Sequence, residues 1–275
     1  GKMRELKAES AKRKVIDSIF TDLREKYPKS QILKFNNERV KEVSSKEGQK
    51  FRNQFDATKF DSISLLPDSL RNNGFFIVHL GKGNHAFVKG DGYHKFEKIR
   101  TIKEWRAGSS VIDGINQSEA QSASTAFNDK IIHDFLFEDK NKDIKLHTAR
   151  RARITYDFVV DGKPLRADKL QIELDGIYES EENKLIATIE VKNQDHEDFE
   201  IRQLFSAMKY FEKMMGWKIP NEYKLRLLFM KRIRKNNGDR FKIYEYYFED
   251  KLNPNSIKFI KAIQYDIFSE QTHSK

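Results

Sequence analysis

Asp175, Glu190 and Lys192 are the side chains whose types and spacing amount to chemistry in this sequence. Asp175 lies in the run LQIELDGIYE (170–179), and Glu190 and Lys192 close the run LIATIEVK (185–192). Both runs are rich in Ile, Leu, Tyr and Val, and the polar residues Glu181, Glu182, Asn183 and Lys184 join them, which predicts a β-hairpin. Pairing Ser180 with Leu185 sets Tyr178 against Ala187, Gly176 against Ile189 and Asp175 against Glu190. Because side chains alternate along a strand, Asp175, Glu190 and Lys192 then share one face, and Ile189 and Val191 take the other. Opposed Cβ atoms sit about 4.5–5.5 Å apart, so two carboxylates there repel unless a cation lies between them. One or two carboxylates, with other positions left to water and phosphate, suit Mg²⁺ better than zinc. The plainer alternative is a solvated strand face on which Lys192 pairs with Glu173, its opposite number in this register.

Asp175, followed by Glu190-x-Lys192 at the end of the next strand, resembles the PD-(D/E)XK nuclease superfamily, to which most type II restriction endonucleases belong. Leu174 stands where the motif's name places proline. The resemblance implies that Asp175 and Glu190 hold Mg²⁺ with the Val191 carbonyl as a third protein ligand. It also implies that Lys192 orients a water or favours its hydroxide form for attack on a phosphodiester. Superfamily members often carry an acidic residue on the helix before the motif and, in some relatives, a glutamine on the helix after it. Glu119 and Gln203 occupy those places here, although Glu119 in a first helical turn also complements the helix dipole.

These residues need a scaffold to position them. From residue 118 onward the pattern reads helix, strand, strand, strand, helix, strand, strand. Ser118 caps a helix running to 137 through Ala126, Phe127, Ile131, Ile132, Phe135 and Leu136. A strand at 154–160 turns at Asp161-Gly162 toward Leu165 and the 170–179 strand, and a helix from about 199 to 215 carries Ile201, Leu204, Phe205, Met208 and Phe211. Strands at 223–230 and 241–248 follow, joined through Asn236-Asn237-Gly238-Asp239, and Ile257, Ile260, Ile263 and Ile267 predict a final helix. The order matches the αβββαβ core of the superfamily, a restriction-endonuclease-like α/β (α+β) fold with a mixed central sheet.

Before it, a helix over 6–27 with Val15, Ile16, Ile19, Phe20 and Leu23 on one face leads to Phe51, Phe55 and Phe60. A short helix after Pro67 and a hairpin of 75–80 with 85–89 around Gly81-Lys82-Gly83-Asn84 come next. A helix followed by a two-stranded wing predicts an N-terminal α+β domain, winged-helix-like, with Lys82, Asn84 and His85 at the tip facing DNA. The ordinary solvated hairpin is the competing reading. Gly108, Ser109, Ser110 and Gly114 read as the join, dividing the chain into 1–107 for DNA recognition and 108–275 for catalysis.

Composition narrows the function classes. The 275 residues carry a formal net charge of +10, which points to a polyanionic partner. Arg232, Arg234 and Lys235 crowd the 231–240 turn as candidate DNA contacts, and Arg150, Arg151 and Arg153 form a second basic run. Zero cysteines exclude disulfides, thiolate metal sites and a cysteine nucleophile. The Gly81-x-Gly83 spacing continues into a strand, which argues against a nucleotide cofactor. No apolar run reaches the roughly 18 residues of a membrane span, and the expectation is a soluble, cytoplasmic prokaryotic protein. A sequence-specific, Mg²⁺-dependent endonuclease acting on double-stranded DNA as a homodimer is therefore expected. A non-catalytic DNA-binding protein and a repair or recombination nuclease on the same fold are the alternatives.

Overall fold

The computed structural model describes residues 2–46, 54–108, 110–147 and 149–269; Phe51 and Ser109 lie outside them. The chain opens with α1 (Lys2–Lys26), β1 (Ile32–Asn36), α2 (Asn37–Lys46), α3 (Asp68–Asn73), β2 (Phe75–Gly81) and β3 (Asn84–Lys89). The apolar stripe predicted for α1 is the reason it folds here, since Val15, Ile16, Ile19 and Phe20 are all buried. Pro67 immediately precedes α3, and Gly74, at φ +72°, ends it in the left-handed conformation that favours glycine. The three strands form an antiparallel sheet in the order β1-β3-β2.

Next come β4 (Tyr93–Lys95), β5 (Thr101–Ala107), α4 (Val111–Ile115), α5 (Glu119–Asn128), α6 (Ile131–Phe137) and β6 (Lys145–His147). The chain continues through β7 (Arg150–Val160), β8 (Lys163–Leu174), β9 (Gly176–Ser180), β10 (Leu185–Lys192), β11 (Asp198–Glu200) and α7 (Arg202–Met214). It finishes with β12 (Lys224–Lys235), β13 (Gly238–Phe248) and β14 (Ile257–Ser269). The fold is mixed α+β around a seven-stranded sheet in the order β5-β14-β13-β12-β10-β9-β6. β10 runs parallel to β12, which requires a crossover, and α7 supplies it. β14 is parallel to β5, and the other pairs are antiparallel.

Alternation along β10 and β12 feeds two cores. Ile189, Val191, Leu228 and Met230 meet Ala123 and Ala126 of α5 and Ile131 and Phe135 of α6 on one face. On the other, Ile186, Leu227 and Phe229 join Leu204 and Phe205 of α7 and, continuously, Phe20 and Phe75 of the N-terminal unit. No helix among the described residues is long and apolar enough to cross a membrane.

Several expectations are corrected. The helix read over 118–137 is two, because Lys130 adopts φ +65° between α5 and α6. The final helix is strand β14: the isoleucine spacing is helical, but β13 offers the segment a hydrogen-bonding edge, and a bulge opposite Glu245/Tyr246 skips Ile260 and shifts the alternation. Residues 198–200 pair with β4 instead of opening α7. Residues 101–107, read as part of the N-terminal domain and its linker, are an edge strand of the seven-stranded sheet. The strand read over 170–179 breaks at Asp175: β8 pairs only with β7 in a separate ribbon, and β9 belongs to the large sheet.

Candidate active site

That break builds the site. The register of β9 on β10 is as expected, with Ser180 opposite Leu185, Tyr178 opposite Ala187 and Gly176 opposite Ile189. Pairing ends there. Asp175 sits in the bend where the chain leaves the β7/β8 ribbon, and its Oδ2 accepts a hydrogen bond from the Val191 N–H at 2.8 Å. The carboxylate thus reaches the end of β10 by turning out of the ladder. Glu190 and Lys192 share the opposite face of β10 from Val191, and their charged atoms are 3.8 Å apart, with side chains 13% and 18% exposed.

Neighbouring elements hold this corner. Gly176 permits a close approach, since a Cβ there would lie 3.1 Å from the Cβ of Ala123 on α5 and from Cγ2 of Ile189, tighter than ordinary contact. The Tyr178 hydroxyl donates to the Ala123 carbonyl at 2.8 Å, and Ser122 and the Gln117 carbonyl tie α5 and its N-terminal approach to Asn193, just past Lys192. Those contacts set the N-terminus of α5, where Glu119 is exposed to solvent. Gln203 stands in the first turn of α7 with its Oε1 buried and without a hydrogen-bond partner.

The electrostatics are those of an anionic recess. Burial pushes the Asp175 carboxyl up to about 6, opposed by the Val191 N–H and Lys192 and reinforced by the charges of Glu119 and Glu173. Burial, with Asp175 next to it, pushes Glu190 well above the usual carboxylate range. Burial acts against the Lys192 ammonium, but Glu190 and Asp61 outweigh it and hold its pKa above the ordinary lysine value. The Lys192–Glu173 pair of the plainer alternative does not form: Glu173 points to solvent and meets Arg151 at 3.1 Å, and Lys192 meets Asp61 at 3.1 Å. Asp61 lies between α2 and α3 in the sequence and carried no sequence signal; only the fold brings it here.

Among the described residues no group of three or more His, Cys, Asp or Glu side chains is arranged to hold a metal ion. The donor set nonetheless fits a hard divalent cation. Burial disfavours the ionised forms of both Asp175 and Glu190, and the charge of Asp175 adds to the effect on Glu190, while Mg²⁺ takes few protein oxygens and keeps waters and phosphate for the rest.

The expected DNA contacts separate into two groups. Lys235 and Asn84 are exposed, and the Arg234 side chain is partly so, its guanidinium 3.8 Å from Asp113 and 4.0 Å from Asp239. Lys82 is half-exposed but bonded to Asp168 at 2.8 Å, because the β2/β3 tip leans on β8: a Cβ on Gly81 would lie 1.9 Å from the Asp168 carbonyl oxygen. His85 and Arg232 are not surface groups. Arg232 is 1% exposed and bonds Asp113 and Asp239, each at 2.6 Å. His85 shares a hydrogen bond with His79, Nδ1 to Nδ1 at 3.1 Å, and its Nε2 lies 2.6 Å from Asn37 Oδ1.

Burial lowers His85 to about 4 and His79 well below its usual value. Their folded pKa lies below the unfolded one, so their stability contribution is present above about 6.5 and lost as pH falls toward 4. Urea midpoints are therefore expected to fall across that window, and His85→Gln to flatten the acid limb by about 2–3 kcal/mol. An identical limb in the variant would assign it elsewhere.

Two family models match, and they meet inside β3, between Phe87 and Val88. Residues 13–87 match the Domain of unknown function (DUF6996) and residues 88–266 the Domain of unknown function (DUF6997), so the families divide the chain before β4 and β5. No curated protein and no solved structure matches the chain. With the DUF6997 match spanning well over half of its length and including Asp175, Glu190 and Lys192, the chain belongs to the DUF6997 family.

Proposed function

We propose that this chain is a Mg²⁺-dependent endonuclease that hydrolyses phosphodiester bonds of double-stranded DNA at specific sequences, as type II restriction enzymes do. The observation that carries the reading is the turn of Asp175 out of its strand onto the Val191 N–H, beside Glu190 and Lys192 in one desolvated recess. A solvated strand face has no reason to bury two carboxylates together. The expected strand at 154–160 is not part of the large sheet, but with β6 in its place α5, β6, β9, β10, α7 and β12 follow the order αβββαβ with the four strands as neighbours, which supports the same reading. The β7/β8 ribbon is then an insertion. In the N-terminal unit, the order helix, strand, helix, helix, strand, strand supports a winged-helix-like module, although its tip rests on β8.

In this proposal Asp175 and Glu190 hold the ion, with the Val191 carbonyl beside them. The chemistry such an ion supplies is charge stabilisation at phosphoryl oxygens and a lower pKa for water. Lys192, kept protonated by Glu190 and Asp61, donates to a phosphate oxygen or the attacking water and does not act as the base. Gln203 offers its unpartnered Oε1 as an acceptor, and Glu119 adds negative charge at the rim. Arg234 and Lys235, with the net charge of +10, favour the phosphate backbone. Two copies would meet a symmetric DNA site as a homodimer.

Plasmid and phage DNA incubated with Mg²⁺ or EDTA, beside Lys192→Ala, test the proposal. Discrete fragments that vanish with EDTA and in the variant are expected. A smear would keep the nuclease and remove sequence specificity. Binding without cleavage under any divalent metal would leave a DNA-binding protein.

A further inference from the structure

We infer that Asp61 is a positioning residue for Lys192, so that the N-terminal unit completes an active site whose other members all lie in the DUF6997 region. The inference rests on the nuclease reading above and adds to it a residue from outside the motif.

The geometry is that of a built contact. Asp61 Oδ1 lies 3.1 Å from Lys192 Nζ, nearer than Glu190 at 3.8 Å. Both residues flanking Asp61 are fixed to the C-terminal part of the chain. The Phe60 carbonyl accepts the Tyr93 hydroxyl at 2.7 Å, and the Phe60 ring is buried. Ser62, also buried, donates to Asp198 Oδ1 at 2.7 Å, and the Ile63 N–H donates to the same oxygen at 2.9 Å. Bracketed in this way, the Asp61 carboxylate is a stationary anchor.

Lys192 needs one. A lysine carries a compact charge on a flexible four-carbon stem, and its ammonium is placed only by what it bonds to. On the neighbouring strand its register partner is Lys231, a like charge with Asp195 at 2.7 Å. Lys231 in turn faces Lys242 on β13, and Asp195 pairs with both, so Asp61 is the carboxylate nearest to Lys192. Without Asp61 the Lys192 ammonium retains only Glu190, which the proposed metal would also claim. The two groups line a narrow recess with Phe96, His196, Phe199 and Lys231. A displacement of about 1 Å at a catalytic group costs on the order of 10²-fold in rate.

The test compares Asp61→Asn and Asp61→Glu with wild type in the full-length chain, measuring kcat and KM on plasmid DNA with Mg²⁺, DNA affinity with Ca²⁺, and melting temperature. Asp61→Asn is expected to lower kcat by about 10–100-fold, with KM, DNA affinity and melting temperature near wild type, and Asp61→Glu to recover most of the loss. Unchanged or raised turnover in Asp61→Asn overturns the inference while leaving the nuclease in place. A loss that glutamate does not rescue, or that follows a fall in melting temperature, makes Asp61 structural support and overturns it too. An inactive wild type removes the nuclease reading and the inference with it.

Discussion

Asp175→Asn is expected to abolish cleavage and at the same time to make the protein more stable at pH 7–8. The asparagine keeps an oxygen to accept the Val191 N–H and removes a charge that the fold resists. The folded pKa of about 6 is above the ordinary 3.8, so Asp175 favours folding below about 4, and that contribution is lost as pH rises through 6. At neutral pH the ionised carboxylate costs roughly 1–3 kcal/mol, which the variant recovers as a higher melting temperature. The trade of stability for a strained, charged site is a common one in enzymes. Activity should fall by about 10²–10³-fold or more, because the variant loses one of two carboxylates proposed to hold the ion. Mg²⁺ titration supplies the internal control: millimolar Mg²⁺ should raise the melting temperature of wild type and leave Asp175→Asn unmoved. A variant that melts below wild type at pH 7.5, or responds equally to Mg²⁺, would remove Asp175 from the metal-binding role.

Arg232→Ala is expected to cost about 3–5 kcal/mol, the penalty for leaving buried acids without their cation. Arg232 is 1% exposed and forks between Asp113 of α4 and Asp239 of β13, and it also donates to Ser122 of α5 at 3.2 Å. One side chain therefore fastens β12 to the helix that carries Glu119. Although burial works to raise the Asp113 carboxyl, Arg232 and Thr125 hold it below its usual value, a measure of how far that acid depends on the pair. Arg232→Lys is expected to recover only a minor part, since an ammonium cannot reproduce the planar fork. Urea denaturation of the two variants decides this; a loss under about 1 kcal/mol for Ala would show the three groups rehydrating freely.

The same arginine marks a limit of sequence reading. In the row KRIRK every residue looks equally solvated, yet strand alternation sends Lys231 and Arg232 to opposite faces and buries both. Which basic residue is a surface charge depends on the acids that arrive from α4 and β13, and Asp113 is 119 positions away. His85 failed as a DNA contact for a related reason, because its partners His79 and Asn37 come from a neighbouring strand and from α2.

Local chemistry was enough to determine the β9/β10 register, the α1 stripe, the N-cap at Ser118 and the side of the strand on which Glu190 and Lys192 lie. Those features rest on turn length, alternation and capping, which act over a few residues. Tertiary structure alone decided that Asp175 leaves its strand, that residues 257–269 extend along β13, that 101–107 close the far edge of the sheet, and that Asp61 faces Lys192. Each of these is a partnership between segments distant in the chain, where the hydrogen bonds or charges of one segment are satisfied only by what the other brings, and no pattern within either segment records its partner.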